Sequence, residues 1–138
     1  MGQRDGRETA AMAKKILIVD DEIEQIDFAS TILEATGHTL ITAMDGREGM
    51  NKAKAEKPDL ILMDIMMPEQ GGIGMYQNLK HDDETKDIPV IIVTGITRGA
   101  GFDDVLVRQD QDIPAPEGYI EKPMNPEAVL KMVNDLLP

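Results

Sequence analysis

Leu60-Ile61-Leu62-Met63-Asp64 is a run of four apolar residues that ends on a carboxylate, with Pro58 before it and Pro68 after it. A run this short, apolar at every position rather than at alternate ones, is the pattern of a strand buried on both faces of a parallel sheet. The same grammar occurs three more times: Ile16-Leu17-Ile18-Val19 before Asp20-Asp21, Val90-Ile91-Ile92-Val93 before Thr94, and Tyr119-Ile120-Glu121 before Lys122. In open parallel sheets, ligands bind beyond the carboxyl ends of the strands. Acids, a hydroxyl and an amine are therefore expected to converge on one site.

Between these runs the pattern changes to a helical period. After Asp20-Asp21-Glu22, residues Ile23, Ile26, Ala29 and Leu33 recur at three- and four-residue spacing up to about residue 36, where Gly37 supplies a stop. A strand over 39–43 leads to the turn signal Asp45-Gly46 and a helix through about residue 56 carrying Met50, Ala53 and Ala55. Beyond the Gly71-Gly72 loop a helix spans about 73–80, and Asn125-Pro126-Glu127 opens a last helix with Val129, Leu130, Val133, Leu136 and Leu137 on one face. The stretch 97–118 is the exception. Gly99, Gly101, Pro114 and Pro116 interrupt it and leave at most a short helix over about 102–108, so this segment is expected to be partly loop. Five strands alternating with helices, joined by right-handed crossovers, predict a doubly wound α/β fold with strand order 2-1-3-4-5 and a weak or irregular fourth helix. That order makes the first, third, fourth and fifth strands neighbours at roughly 5 Å spacing.

At 138 residues the chain suits one domain over 14–138, preceded by a polar, aperiodic leader over 1–13 read as disordered or as introduced by cloning. Twenty-six acidic against fourteen basic residues give a formal net charge of -12, which opposes binding to nucleic acid or an anionic membrane. No cysteine is present, so neither a disulfide framework nor a thiolate metal site is available. No apolar stretch approaches the roughly 20 residues of a membrane span, and no secretory core opens the chain. A soluble, cytoplasmic protein is expected.

Asp20, Asp21 and Asp64 would place three carboxylates at two neighbouring strand ends. Two unit charges about 5 Å apart repel by roughly 3 kcal/mol at an effective dielectric near 20, and such a cluster calls for a cation. Oxygen-only ligands suit a hard ion, and Mg²⁺ takes one or two carboxylates with water and phosphate. A carboxylate at Asp64 can also attack phosphorus to form an aspartyl phosphate, with Lys122 as a point charge and the Thr94 hydroxyl as a directional donor. Each residue also has a plainer reading: Asp21 as a helix N-cap, Asp20 as a loop acid, Lys122 as a surface amine, Thr94 as a β-branched strand residue. The functional reading requires all five to gather round one pocket, with the Asp64 oxygen reachable from solvent.

The motifs Ile18-Val19-Asp20-Asp21-Glu22, Met63-Asp64-Ile65-Met66-Met67-Pro68 with Gly72 beyond, Val93-Thr94-Gly95, and Tyr119-Ile120-Glu121-Lys122-Pro123 occur in order over about 14–137. Taken as a set, they make the chain resemble a response-regulator receiver domain of two-component, histidine-to-aspartate phosphorelay signalling. The resemblance implies a flavodoxin-like fold, with Asp64 as phosphoacceptor. It implies Asp20 and Asp21 as the acidic pair at Mg²⁺, and the Met66 backbone carbonyl as a further metal ligand. It also implies Thr94 as the switch hydroxyl, Lys122 as the phosphate-pairing amine and Tyr119 as the aromatic that changes rotamer with Thr94. The implied partners are a sensor histidine kinase or histidine phosphotransfer protein and an unidentified downstream protein. The implied activity is a stand-alone module that catalyses only its own phosphorylation and dephosphorylation, without nucleic acid or membrane insertion.

Two other classes stay open: a phosphorylation-independent docking module, and a Mg²⁺-dependent aspartyl-phosphate phosphohydrolase. The second is weakened by Met66 standing where a leaving-group acid is needed. His38 and His81 are expected away from the crevice, the ten methionines are read as core filler, and Asp82-Asp83-Glu84 as a solvated helix face.

Overall fold

In the computed structural model, which describes residues 14–65, 72–95 and 114–138, every residue of β3 (Leu60–Asp64) and of β4 (Val90–Thr94) is buried. These two strands occupy the middle of a five-stranded sheet completed by β1 (Lys15–Val19), β2 (Thr39–Ala43) and β5 (Gly118–Glu121). All four pairings are parallel, and the order is β2-β1-β3-β4-β5. Continuous apolar runs are thus explained by position, since a central strand has no solvent face to spend polar residues on.

The described helices are α1 (Ile23–Leu33), extended by a 3-10 turn over Glu34–Thr36, α2 (Gly46–Glu56), α3 (Gly72–His81) and α4 (Pro126–Leu136). They divide the core into two layers. Ala53 of α2 and Met75, Tyr76 and Leu79 of α3 pack with Leu17, Ile61, Met63 and Ile92 on one face of the sheet. On the other, Ile26, Ala29 and Leu33 of α1 and Val129 and Val133 of α4 pack with Ile16, Ile18, Leu62 and Val93. Local chemistry sets the helix ends. Gly37 takes the left-handed conformation at φ 76°, as its stop role requires. Asp45 caps α2 by accepting the Glu48 N–H, and Asn125 caps α4 by accepting the Ala128 N–H, with Pro126 at the first helical position.

Three local expectations are corrected. Ile23 is 50% exposed as the first residue of α1, and the buried face of that helix begins at Ile26 and Ala29. Ala55 is exposed, leaving Ala53 as the inward residue of that turn. The N-cap position of α1 is Glu22 rather than Asp21, and no side chain caps it. The leader 1–13, residues Met66, Pro68 and Gly71, and the short helix expected over about 102–108 lie outside the described residues.

Candidate functional site

Side-chain alternation along the strands sorts the site before any distance is measured. Asp20 follows Ile16 and Ile18, Asp64 follows Leu60 and Leu62, and Lys122 follows Ile120, all residues of the face covered by α1 and α4. Register then brings them level. Val19 pairs with Met63, so Asp20 stands beside Asp64, and Asp64 itself pairs with Val93. Thr94 pairs with Glu121, and the Lys122 backbone N–H donates to the Thr94 carbonyl at 2.9 Å, which carries Lys122 over the same end of the sheet. Thr94 has the opposite parity. It continues Val90 and Ile92 on the α2/α3 face, where Tyr119, the partner of Ile92, also packs.

The charged groups meet closely. Lys122 Nζ lies 3.1 Å from Asp20 Oδ2, 3.4 Å from Asp64 Oδ2 and 3.9 Å from Glu22 Oε1. Asp20 Oδ1 accepts the Glu22 N–H at 2.9 Å. One oxygen from each of Asp20, Asp21 and Asp64 falls within 4.8 Å of the others. Asp20 and Asp64 are only 5% and 3% exposed, while Asp21 is partly open. Asp64 is therefore more deeply seated than a freely reachable strand-end carboxylate, because its strand is central and Lys122 covers one of its oxygens. Thr94 is fully buried and Tyr119 partly so. The peptide between Lys122 and Pro123 is cis.

Burial pushes the Asp20 carboxyl above its ordinary value. The Glu22 N–H opposes that rise, the neighbouring Asp64 charge adds to it, and the Lys122 ammonium opposes it again. For Lys122 burial works against the charged form, but hydrogen bonding and attraction to Asp20 and Asp64 outweigh it and hold the amine above its usual value. Three carboxylates thus face one firmly protonated ammonium, and the cluster keeps a net negative charge. Its donors are all hard oxygens, with no histidine among them. That set fits Mg²⁺ in ligand type and in charge.

Of the residues singled out in the sequence, the structure joins Asp20, Asp21, Asp64 and Lys122 in one cluster and places Thr94 at the adjoining strand end. Met66 lies outside the described residues. His38 is remote, accepting the Lys14 N–H at the opposite end of β1. Asp82, Asp83 and Glu84 form a turn after α3 rather than a helix face, with Asp82 and Glu84 paired to Lys54 at 3.2 and 3.8 Å. Sequence reading overlooked two groups at the site. Glu22 stood inside a motif without a role, and Gln25, a polar residue one place before the buried Ile26, carried no signal that its amide turns inward.

Residues 16–134 match the family described as the response regulator receiver domain. Protein PilH of Pseudomonas aeruginosa is 38% identical over 123 residues, covering 89% of this chain and 97% of PilH. The polar-differentiation response regulator DivK of Brucella anthropi is 34% identical over 126 residues, covering 91% of this chain and 98% of DivK. Among solved structures, the chemotaxis response regulator CheY4 of Vibrio cholerae superposes with a TM-score of 0.77 at 30% identity, covering 91% of this chain and 99% of that one.

Proposed function

Because this chain belongs to the response-regulator receiver domain family and is a phosphoryl-accepting response regulator, we propose that Asp64 is its acceptor and that Asp20, Asp21, Thr94, Lys122 and Tyr119 serve that chemistry. The convergence of Asp20, Asp64 and Lys122 within 3.4 Å at the carboxyl end of a parallel sheet carries this reading. The donor is a phosphohistidine on a sensor kinase or phosphotransfer protein. An Asp64 carboxylate oxygen forms the new O–P bond as the N–P bond of the donor breaks, and the electron pair departs on the imidazole nitrogen. Asp20, Asp21 and Asp64 would hold Mg²⁺, and the Met66 carbonyl would be a further ligand. When bound, the ion neutralises the charge that would otherwise repel an incoming phosphoryl group.

Lys122 acts as a mobile point charge, leaving its hold on Asp64 to pair with a phosphoryl oxygen. Phosphorylation replaces the single carboxylate charge of Asp64 with a phosphoryl group that carries roughly 1.5 to 2 negative charges, and sets new acceptor oxygens beside Thr94. The Thr94 hydroxyl then donates to a phosphoryl oxygen, and the partly buried Tyr119, on the same face of the adjoining strand, turns into the space released. This is a two-state packing switch that alters contacts with a downstream protein. The activity is confined to the protein's own phosphorylation and dephosphorylation, and the compartment is the cytoplasm. The net charge of -12 disfavours nucleic acid, and no helix among the described residues is long and apolar enough to cross a membrane.

Incubation with a small phosphodonor and Mg²⁺, followed by intact mass measurement, tests the assignment. One labile phosphoryl group on the native chain and none on Asp64→Asn is the expected result. Equal modification of both chains would assign the acceptor elsewhere.

A further inference from the structure

Beneath the acid cluster, between β1, β3 and α1, lies a narrow cleft whose polar lining consists of Asp20, Asp64 and Gln25, set among apolar residues that include Ile18, Ala29 and Met124. Gln25 Oε1 is fully buried there and has no hydrogen-bond partner among the described residues. An amide oxygen left in that state costs roughly 1–3 kcal/mol, so a residue kept there calls for a donor. The facing groups cannot supply one. Asp20 and Asp64 offer carboxylate oxygens, which are acceptors when ionised, and acceptors do not bond one another. What joins them is a small molecule with two hydrogens to give. The cleft provides about 10 Å³ of room for the centre of a water molecule, the order of space that one water needs and too little for a larger ligand.

We infer that Gln25 is a positioning residue of the phosphoryl-accepting site, binding one buried water that donates one hydrogen to Gln25 Oε1 and the other to a carboxylate oxygen of Asp20 or Asp64. This rests on the function proposed above. Asp20 Oδ1 is oriented by the Glu22 N–H and its Oδ2 by Lys122, both from the solvent end of the sheet. The Gln25 bridge adds restraint from below, on the face packed against α1. Carboxylates that hold a metal are commonly fixed by such outer partners, whose loss typically weakens metal binding or activity by about 10-fold or more.

Two measurements on the unphosphorylated full chain test this. A crystal structure of the native protein fine enough to place ordered waters should show one water within about 3.2 Å of both Gln25 Oε1 and an Asp20 or Asp64 oxygen. Mg²⁺ titration by calorimetry should give a Kd about 10-fold weaker for Gln25→Met, a substitution of similar volume that removes the amide acceptor, with a cooperative thermal transition showing that the variant is folded. A dry cleft, or an amide turned so that Nε2 bonds a carboxylate directly, would overturn the inference, as would an unchanged Kd in a folded Gln25→Met. The native-chain structure decides the matter even if that variant does not fold. Failure of the native chain to bind Mg²⁺ or to accept a phosphoryl group would instead strike the functional proposal, and the water site would be judged from the structure alone.

Discussion

Lys122 contacts both Asp20 and Asp64, and the resting and phosphorylated states make opposite demands on it. It must neutralise both carboxylates at rest and leave them once a phosphoryl group arrives. Lys122→Ala is accordingly expected to accept phosphoryl groups from a small donor about 10²-fold more slowly than the native chain, measured by intact mass against time. Asp20 supplies a test by pH. Its carboxyl is raised by burial, so between the ordinary value of 3.8 and its higher folded value the native state binds more protons than the unfolded state. Stability from this group therefore falls as pH rises through that window. In Mg²⁺-free buffer, the thermal midpoint of the native chain should drop relative to Asp20→Asn as pH increases from below 3.8 toward neutrality. A gap that stays constant with pH would remove Asp20 as a destabilised site acid. These residues were legible in the sequence because each ends an apolar run, a position where a polar side chain has no structural reason to recur four times. Gln25 was not legible, since a glutamine inside an amphipathic helix reads as solvent-facing until the sheet beside it is in view.

At the level of elements, two helix glycines separate backbone crowding from side-chain crowding. A Cβ added at Gly72, the first residue of α3, would press on the Asp64 carbonyl oxygen and lie 2.5 Å from the Ile65 Cα, atoms that cannot move without displacing the end of β3. Gly72→Ala should lower stability by about 1–3 kcal/mol in denaturant titration. At Gly49 in α2, the added Cβ would meet the tip of Met75 at 2.7 and 2.8 Å, a flexible neighbour that can turn aside. The gain of roughly 1 kcal/mol in helix propensity then leaves Gly49→Ala near neutral. The start of α2 depends on Glu48, which accepts the Met44 N–H at 2.8 Å and pairs with Lys52 at 3.1 Å, and both hold its carboxyl below the usual range. Its contribution is present above the ordinary value of 4.5 and is lost as pH falls through the lower folded one. Glu48→Ala should cost about 0.5–1 kcal/mol near neutral pH and little in acid. The strands could be read in advance because burial on both faces removes all polar alternation, and the cap Asn125 because its chemistry is local, whereas Asp45 read as a turn signal and its capping of α2 emerged only in the fold. Ile23 and Ala55 could not, since periodicity names a stripe and only the packed sheet decides where the stripe runs out.

For the whole molecule, the fold is a device for bringing residues 20, 64 and 122 to one end of a sheet, where three carboxylates meet a single ammonium. Supplying the missing positive charge should therefore stabilise it. Mg²⁺ at about 100 times its Kd would add about 2.7 kcal/mol, visible as a higher thermal midpoint in the native chain and much reduced in Asp64→Asn. The strand order followed from the alternation of strands and helices, and the site followed from the strand order. The depth of Asp64 did not, because how far Lys122 closes over it is set by tertiary packing. The most direct measurement is to treat the phosphorylated chain with borohydride, which reduces an acyl phosphate to an alcohol, and to map the product by peptide mass spectrometry. The expected outcome is homoserine at position 64 and nowhere else. Homoserine at Asp20 or Asp21, or a phosphoryl group that resists the reagent, would contradict the assignment of Asp64 as acceptor.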